Sequence, residues 1–392
     1  MIYMNLEKRY FIMTKEEILK TRESAHGLIS INSNFNIENK EDLSQIYTPG
    51  VSTVCKEVEH CPESIKKLTS IGNSIAVITD GTAVLGFGNI GTLAGYPIVE
   101  AKASVYNQLA GVNAIPLCVD QMDKDELIKT IKSIANSFSG IHLEDIKAPE
   151  CFYIEEVLKK ELNIPVYHDD QHGTAIAVLA ALYNATKVVK KDFESLKVVV
   201  LGAGASGIAT AKLLKEAGID NIILVDRKGS LVCGDTDLNE PQQEIAKITN
   251  PDKLKGSLED VIKNSDVFIG LSEGNVLTYD MIKTMGKDPI IFALANPTPE
   301  VKPEIAKEAG AAVIATGGPA YPNQVNNILV FPGLFKGLLE ANANDVTYDL
   351  MLSIAKKLAS LVDNPKPNKV IPGVFEGNIV DAVSETVRLN FK

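Results

Sequence analysis

The chain has 392 residues, 45% hydrophobic and 23% charged, with a formal net charge of −11. This is the composition of a globular protein of two domains, at roughly 100–200 residues each, with core enough to fold without metal or disulfide staples. The acid excess, the absence of a Lys/Arg block and the absence of any run near the roughly 20 apolar residues that span a bilayer exclude nucleic acid and membrane as expected partners.

An anionic ligand would then need a local positive feature, such as a lysine, a cation or a helix N-terminus. The five cysteines (Cys55, Cys61, Cys118, Cys151, Cys233) form no CxxC, and their odd number reads as reduced thiols of a cytoplasmic protein. The N-terminal MIYMNLEKRYFIMTKEEILK is charged too early for a signal segment. Its first dozen residues read as a loose extension.

In chain order, residues 14–25 and 38–46 read as short polar helices. SIAVITD (74–80) is a strand ending at the Asp80-Gly81 turn signal, followed by the Gly-rich GTAVLGFGNIGTLAGYP. A helix is expected over 97–111, ending in Gly111, then the strand NAIPLCVD and the helix DKDELIKTIKSIANSF. GIHLEDIKAP (140–149) is a short strand running into a loop, CFYIEEVLKKEL a helix and IPVYHDD a strand. GTAIAVLAALYNATKVV reads as a long apolar helix beginning near Gly173. From Leu196 the segments LKVVVL, NIILVD, SDVFIGLS, PIIFALANP, AAVIATGG and NNILVFPG read as further strands alternating with helices. Such alternation points to an α/β protein with parallel sheets covered on both faces. We place the boundary near residue 165, giving an N-terminal domain (1–165) and a Rossmann-type, doubly wound domain with C-terminal helices (166–392).

GxGxxG occurs twice. Gly86-Phe-Gly-Asn-Ile-Gly91 lacks a strand-turn-helix frame and reads as a tight structural loop lining a pocket. Gly202-Ala-Gly204-Ala205-Ser206-Gly207 follows the strand KVVVL, opens the helix IATAKLLKEAG, and is followed by a strand that ends at Asp226, 24 residues beyond Gly202. This is the context of the dinucleotide fingerprint. Gly202 permits the tight turn, Gly204 the approach of the pyrophosphate, and Gly207 close helix–strand packing. Asp226 suits the ribose hydroxyls of NAD, whereas Arg227 and Lys228 would welcome the 2′-phosphate of NADP. Both cofactors stay open.

Two acidic pairs, Glu144-Asp145 and Asp169-Asp170, each sit where a strand passes into a loop. Ligands of open α/β sheets bind outside the carboxyl ends of strands, so the pairs can meet in one cleft. Gathered carboxylates repel unless a cation lies among them, and hard oxygen ligands favour Mg²⁺ or Mn²⁺. The plain alternative is solvated loop acids, with Asp170 capping the helix near Gly173. His168 and His172, four apart, share a face only if the segment is helical, and a turn containing Gly173 would prevent that. They are expected to be turn residues and not zinc ligands.

Eight segments together resemble the malic enzyme family, its short prokaryotic-type members most closely. They are IYTPGV (46–51), ITDGTAVLGFGNIG (78–91), VEAKASVYNQLAGVNAIPLCVD (99–120), LEDIKAPECF (143–152), VYHDDQHGTA (166–175), LGAGASGIA (201–209), FALANPTPE (292–300) and TGGPAYPNQVNNILVFPG (316–333). The resemblance implies oxidative decarboxylation of L-malate to pyruvate and CO₂, with NAD⁺ or NADP⁺ as hydride acceptor and Mn²⁺ or Mg²⁺ required. It implies Glu144, Asp145 and Asp170 as metal ligands, Lys102 as general base and Tyr47 as general acid. Asp169 becomes an acid beside the lysine and metal, while Asn296 and Asn327 hold substrate or the nicotinamide end. A homodimer or larger assembly is implied as well. One departure stands out: where longer relatives carry a substrate-gripping arginine, this loop reads TDGTAV, with Thr82 and Ala83. A malolactic-type decarboxylase and an amino acid dehydrogenase are the competing readings.

Overall fold

The structure, a computed structural model, describes residues 14–391. The expected loose N-terminal extension lies outside the described residues.

Four helices, α1 (Lys15–Ala25), α2 (Lys40–Ile46), α3 (Gly50–His60) and α4 (Ile65–Leu68), lead into the first sheet. Its strands are β1 (Ser74–Thr79), β2 (Asn113–Cys118), β3 (Ile141–Leu143) and β4 (Val166–His168), all parallel, in the order β2-β1-β3-β4. Between them run α5 (Thr92–Val105), α6 (Lys124–Ile134) and α7 (Glu150–Glu161). Every residue of β1 is buried, as the apolar run 75–78 at its centre requires in a covered parallel sheet.

Helix α8 (Asp169–Val189) follows β4, with fourteen buried residues, and its apolar side chains join the cores of both sheets. The second sheet then begins with β5 (Lys197–Leu201), α9 (Ala205–Glu216), β6 (Asn221–Asp226) and the two-residue antiparallel edge strand β7 (Gly229–Ser230). After α10 (Glu240–Ile248) and α11 (Leu258–Val261) come β8 (Val267–Gly270), α12 (Tyr279–Thr284), β9 (Ile290–Ala293), α13 (Pro303–Glu308) and β10 (Val313–Thr316). The order β10-β9-β8-β5-β6-β7 is the doubly wound pattern. Helices α14 (Phe331–Ala341), α15 (Tyr348–Ser360) and α16 (Ile379–Asn390) close the chain.

Both sheets carry a topological switch point, β1/β3 in the first and β5/β8 in the second. Crevices open there, outside the carboxyl ends of the strands. Residues of both switch points line one cleft.

Four expectations fail, each for a physical reason. Strand 166–168, assigned to the second domain, hydrogen-bonds in the first sheet. The long helix begins at Asp169 and not near Gly173, so Asp170 lies in its first turn and is not its cap. Two acids in a first turn complement the helix dipole, and Gly173 is tolerated inside the helix. Helix α5 begins at Thr92, five residues before Pro97, within the Gly-rich passage. The carbonyl that Pro97 leaves without a helical partner belongs to Leu93, which is 90% exposed. NNILVFPG is no strand: it forms a 3₁₀ turn (Asn327–Leu329) and the start of α14, with Pro332 in the first helical turn. A short apolar run fits strand and buried helix equally well.

Candidate active site

The first wall of the cleft is built at strand ends. After β1, the Asp80 carboxylate accepts from the Thr82 amide (3.0 Å) and hydroxyl (2.5 Å). The Thr82 hydroxyl oxygen in turn accepts from the Lys147 amide (3.0 Å), and the Ala83 amide donates to the Asp145 carbonyl (2.9 Å). The TDG loop is thus tied to the loop after β3. That loop carries Glu144 and Asp145, both almost fully buried, with Asp145 at φ 54°, a left-handed conformation that aspartate tolerates better than most residues. From the neighbouring strand end, Asp170 accepts from the Asp145 amide at 2.9 Å. Glu144, Asp145 and Asp170 bring oxygens within 4.8 Å of one another.

Lys102 reaches this cluster from α5, on the same helix face as the buried Val99 and Ala103, and its side chain is only 12% exposed. Its Nζ lies 2.7 Å from Glu144 Oε2, bonds to Asp169 Oδ2, and sits 4.8 Å from the centre of the Phe331 ring. The other Asp169 oxygen accepts from the Tyr167 hydroxyl at 2.8 Å. His142 is buried beside them, its Nε2 2.7 Å from Glu144 Oε2 and its Nδ1 2.8 Å from the Tyr106 hydroxyl.

The charges in this cluster depend on each other. Burial disfavours a charged Lys102, but Asp169, Glu144 and Asp170 outweigh it and hold the ammonium above its usual pKa. Burial pushes the Asp169 carboxyl up although Lys102 pulls it down. Burial and then the Glu144 charge raise Asp170. Burial, reinforced by the Lys102 cation, depresses His142 to about 3, so its ring is neutral. The donor set fits a hard divalent cation: three convergent carboxylates, no thiolate, and an excess of negative charge that one lysine does not neutralise.

The second wall is mostly backbone. Gly202, at φ 114°, turns the chain from β5 toward α9. A Cβ on Gly207 would stand 1.8 Å from the Gly202 carbonyl oxygen, so only glycine allows this packing. A Cβ on Gly204 would meet nothing within 4 Å, leaving space for a phosphate at the α9 N-terminus. At the end of β6 the Gln242 amide donates to Asp226 at 3.0 Å, while Arg227 and Lys228 are exposed beside it.

Lys102, Glu144, Asp145 and Asp170 face Gly204, Ala205, Ser206 and Gly207 across a cleft of about 410 Å³, with Asn296 and Asn327 between them. Gly86 of the first glycine motif lines the same cleft, beside the Asn296 carbonyl. Asp169 lies behind Lys102, and Gly202, Asp226 and Arg227 lie outside the lining. Tyr47 does not line it either: it caps α2 and is 66% exposed. Ala83 occupies the cleft where an arginine was missing, and Lys102 is the only basic side chain among the described lining residues. Neither histidine of HDDQHGT is the turn residue expected, because the helix begins at Asp169. His168 ends β4, wholly buried with Nδ1 3.7 Å from Asp170 Oδ2, and His172 lies within α8 with Nε2 2.7 Å from Glu155. Neither joins a group of potential ligands among the described residues. Sequence reasoning missed His142, Tyr106, Tyr167, Gln242, Ser272 and Asn326. Only His142 carried a signal, being two residues before Glu144 on a strand.

Two family models match: "Malic enzyme, NAD binding domain" over residues 171–389 and "Malic enzyme, N-terminal domain" over residues 28–126. The chain is 49% identical to an NAD-dependent malic enzyme of Geobacillus stearothermophilus, covering 92% of this chain and 76% of that one. It is 46% identical to a bifunctional malic/malolactic enzyme of Bacillus subtilis, covering 95% and 92%. The crystal structure of an NAD-dependent malic enzyme from Thermotoga maritima superposes with a TM-score of 0.92 at 44% identity, covering 94% of this chain and 98% of that one.

Proposed function

This chain belongs to the malic enzyme family, and on that premise we propose how its cleft performs the reaction. The protein is an NAD(P)-dependent oxidoreductase that oxidatively decarboxylates L-malate to pyruvate and CO₂. The competing decarboxylase and amino acid dehydrogenase readings are not favoured. The observation that carries the mechanism is Lys102, set between Glu144 and Asp169 in a cleft whose far wall is the turn at residues 204–207.

Glu144, Asp145 and Asp170 would hold Mn²⁺ or Mg²⁺. A bound divalent ion supplies Lewis-acid stabilisation of negative charge on the substrate's C2 oxygen. Lys102 removes the C2 hydroxyl proton as the C2 hydride passes to the nicotinamide. In the resting cluster its ammonium is held by three acids. A divalent ion held by Glu144 and Asp170 would offset two of those three charges, and burial would then favour the neutral, basic amine against Asp169 alone. Loss of CO₂ from the 3-position leaves an enolate, which takes a proton at C3 to give pyruvate. Asp169, gripped by Tyr167 and Lys102, keeps the lysine aimed at C2. Asn296 and Asn327 orient the substrate and nicotinamide from the second wall, and Asp226 takes the adenosine ribose.

Tyr47 is the proposed donor of the C3 proton, although it stands outside its own chain's cleft. Helices α1, α2 and α3 contain no buried residue, and Ile31, Phe35, Ile37, Leu43 and Tyr47 are exposed around them. A homodimer covers this apolar surface, and a second copy's cleft gives Tyr47 a site to serve. A cytoplasmic location is supported by five free cysteines, and among the described residues no helix is long and apolar enough to cross a membrane.

Initial rates with malate, Mn²⁺ and either NAD⁺ or NADP⁺, with pyruvate and lactate both quantified, test this function. Equal amounts of reduced cofactor and pyruvate support it; lactate without reduced cofactor overturns it.

A further inference from the structure

Residues 142 and 144 lie two apart on a strand end and so point to the same face. An ionised carboxylate only accepts hydrogen bonds, so His142 Nε2 must carry the hydrogen it directs at Glu144 Oε2. His142 Nδ1 is then bare and accepts from the Tyr106 hydroxyl. The tyrosine thereby fixes the tautomer. Lys102 Nζ falls on the same oxygen, Oε2, at 2.7 Å. Among the described residues no hydrogen bond reaches Glu144 Oε1.

We propose that His142 is a positioning residue that fixes the Glu144 carboxylate through Oε2 and so reserves Oε1 for the divalent ion, an inference that rests on the metal reading above. Two donors are needed because they act at different times. Lys102 must leave Oε2 to handle the substrate proton, and a carboxylate held only by the lysine would then be free to rotate. His142 never meets substrate, since it is wholly buried among Tyr106, Tyr167, Phe331 and Phe335. Its grip persists through the cycle. Outer partners of this kind typically change metal affinity by about 10–100-fold when removed.

The aromatic surroundings suggest the test. His142→Phe keeps a ring in the cluster and removes both hydrogen bonds. His142→Gln packs less well but places an amide N–H near the position of Nε2. Mn²⁺ dissociation constants, read from free Mn²⁺ by paramagnetic resonance without substrate, are expected to weaken about 10–100-fold in His142→Phe and to recover largely in His142→Gln. NAD(P) affinity stays at the wild-type value in both. A packing role predicts the reverse order, with phenylalanine the milder change. Wild-type Mn²⁺ affinity in His142→Phe overturns the inference. Should that variant fail to fold, Tyr106→Phe decides: a several-fold weaker affinity supports the inference, and an unchanged one overturns it. If the wild type itself binds no Mn²⁺, the metal reading falls first and this inference with it.

Discussion

The two walls of the cleft solve opposite problems. The proposed dinucleotide wall works by absence: at Gly202 and Gly207 a side chain would strike the Leu271 and Gly202 carbonyls, and at Gly204 its absence leaves open space before the α9 N-terminus. The substrate wall works by crowding, with Lys102, Glu144, Asp169 and His142 buried in mutual contact. On the first wall the contributions are steric and carry no charge. On the second, each group's charge state is set by its neighbours, so removing one changes the rest.

That contrast is broken most severely by Lys102→Ala. Loss of the base should lower kcat by about 10²–10⁴-fold while the dissociation constant for NAD(P), read by fluorescence titration, stays unchanged. A parallel loss of cofactor affinity would mean that the walls are not separable. Tyr47→Phe should be nearly as damaging, and mixing the two inactive variants sharpens the dimer reading. Subunit exchange in a symmetric dimer gives half heterodimers, each with one intact site if Tyr47 serves its partner, so about a quarter of wild-type activity should return. If Tyr47 serves its own chain, the mixture stays inactive.

Gly204→Val probes the other wall. Its new side chain enters open space, so thermal stability should hold while the KM for cofactor rises about tenfold or more. A drop in melting temperature would show that the space is structural.

The smallest expected effect lies behind the dinucleotide wall. Glu300 is wholly buried and accepts from the Ser272 amide (3.1 Å) and the Ala295 amide (3.0 Å), bracing the loops after β8 and β9. Burial raises its carboxyl from 4.5 to about 6. A carboxyl with a raised folded-state pKa contributes stability that is present below pH 4.5 and lost as pH rises through 6. Relative to Glu300→Gln, the wild type should therefore lose about 2 kcal/mol across that window, by denaturant unfolding at each pH. Parallel curves for the two proteins would contradict it.

The two walls also differed in how far they could be read from sequence. Glycine spacing, a preceding strand, a following helix and an acid at the next strand end suffice for the dinucleotide loop, because that site is local in the chain. The substrate wall draws on positions 102, 144, 145, 169 and 170, whose convergence depends on the strand order β2-β1-β3-β4. Spacing gave only two acidic pairs at strand ends. The lysine's role came from the family resemblance, since a lysine on a helix otherwise reads as solvated. His142 escaped because nothing in GIHLEDI marks the histidine as partner to a tyrosine 36 residues earlier. The helix starts at Thr92 and Asp169 were misjudged because Pro97 and Gly173 are weak breakers where burial or solvent compensates.

The cation site is the claim on which the rest depends, and Mn²⁺ binding to Asp170→Ala, His168→Ala and His172→Ala tests it most directly. His172→Ala strips a partner from the buried Glu155 and should cost stability without touching the cleft. We expect Asp170→Ala to lose Mn²⁺ affinity by about 100-fold or more, His172→Ala to bind Mn²⁺ as the wild type does, and His168→Ala, whose ring lies 3.7 Å from Asp170, to lose less than Asp170→Ala. Wild-type affinity in Asp170→Ala, or an equal loss in His172→Ala, would contradict the assignment.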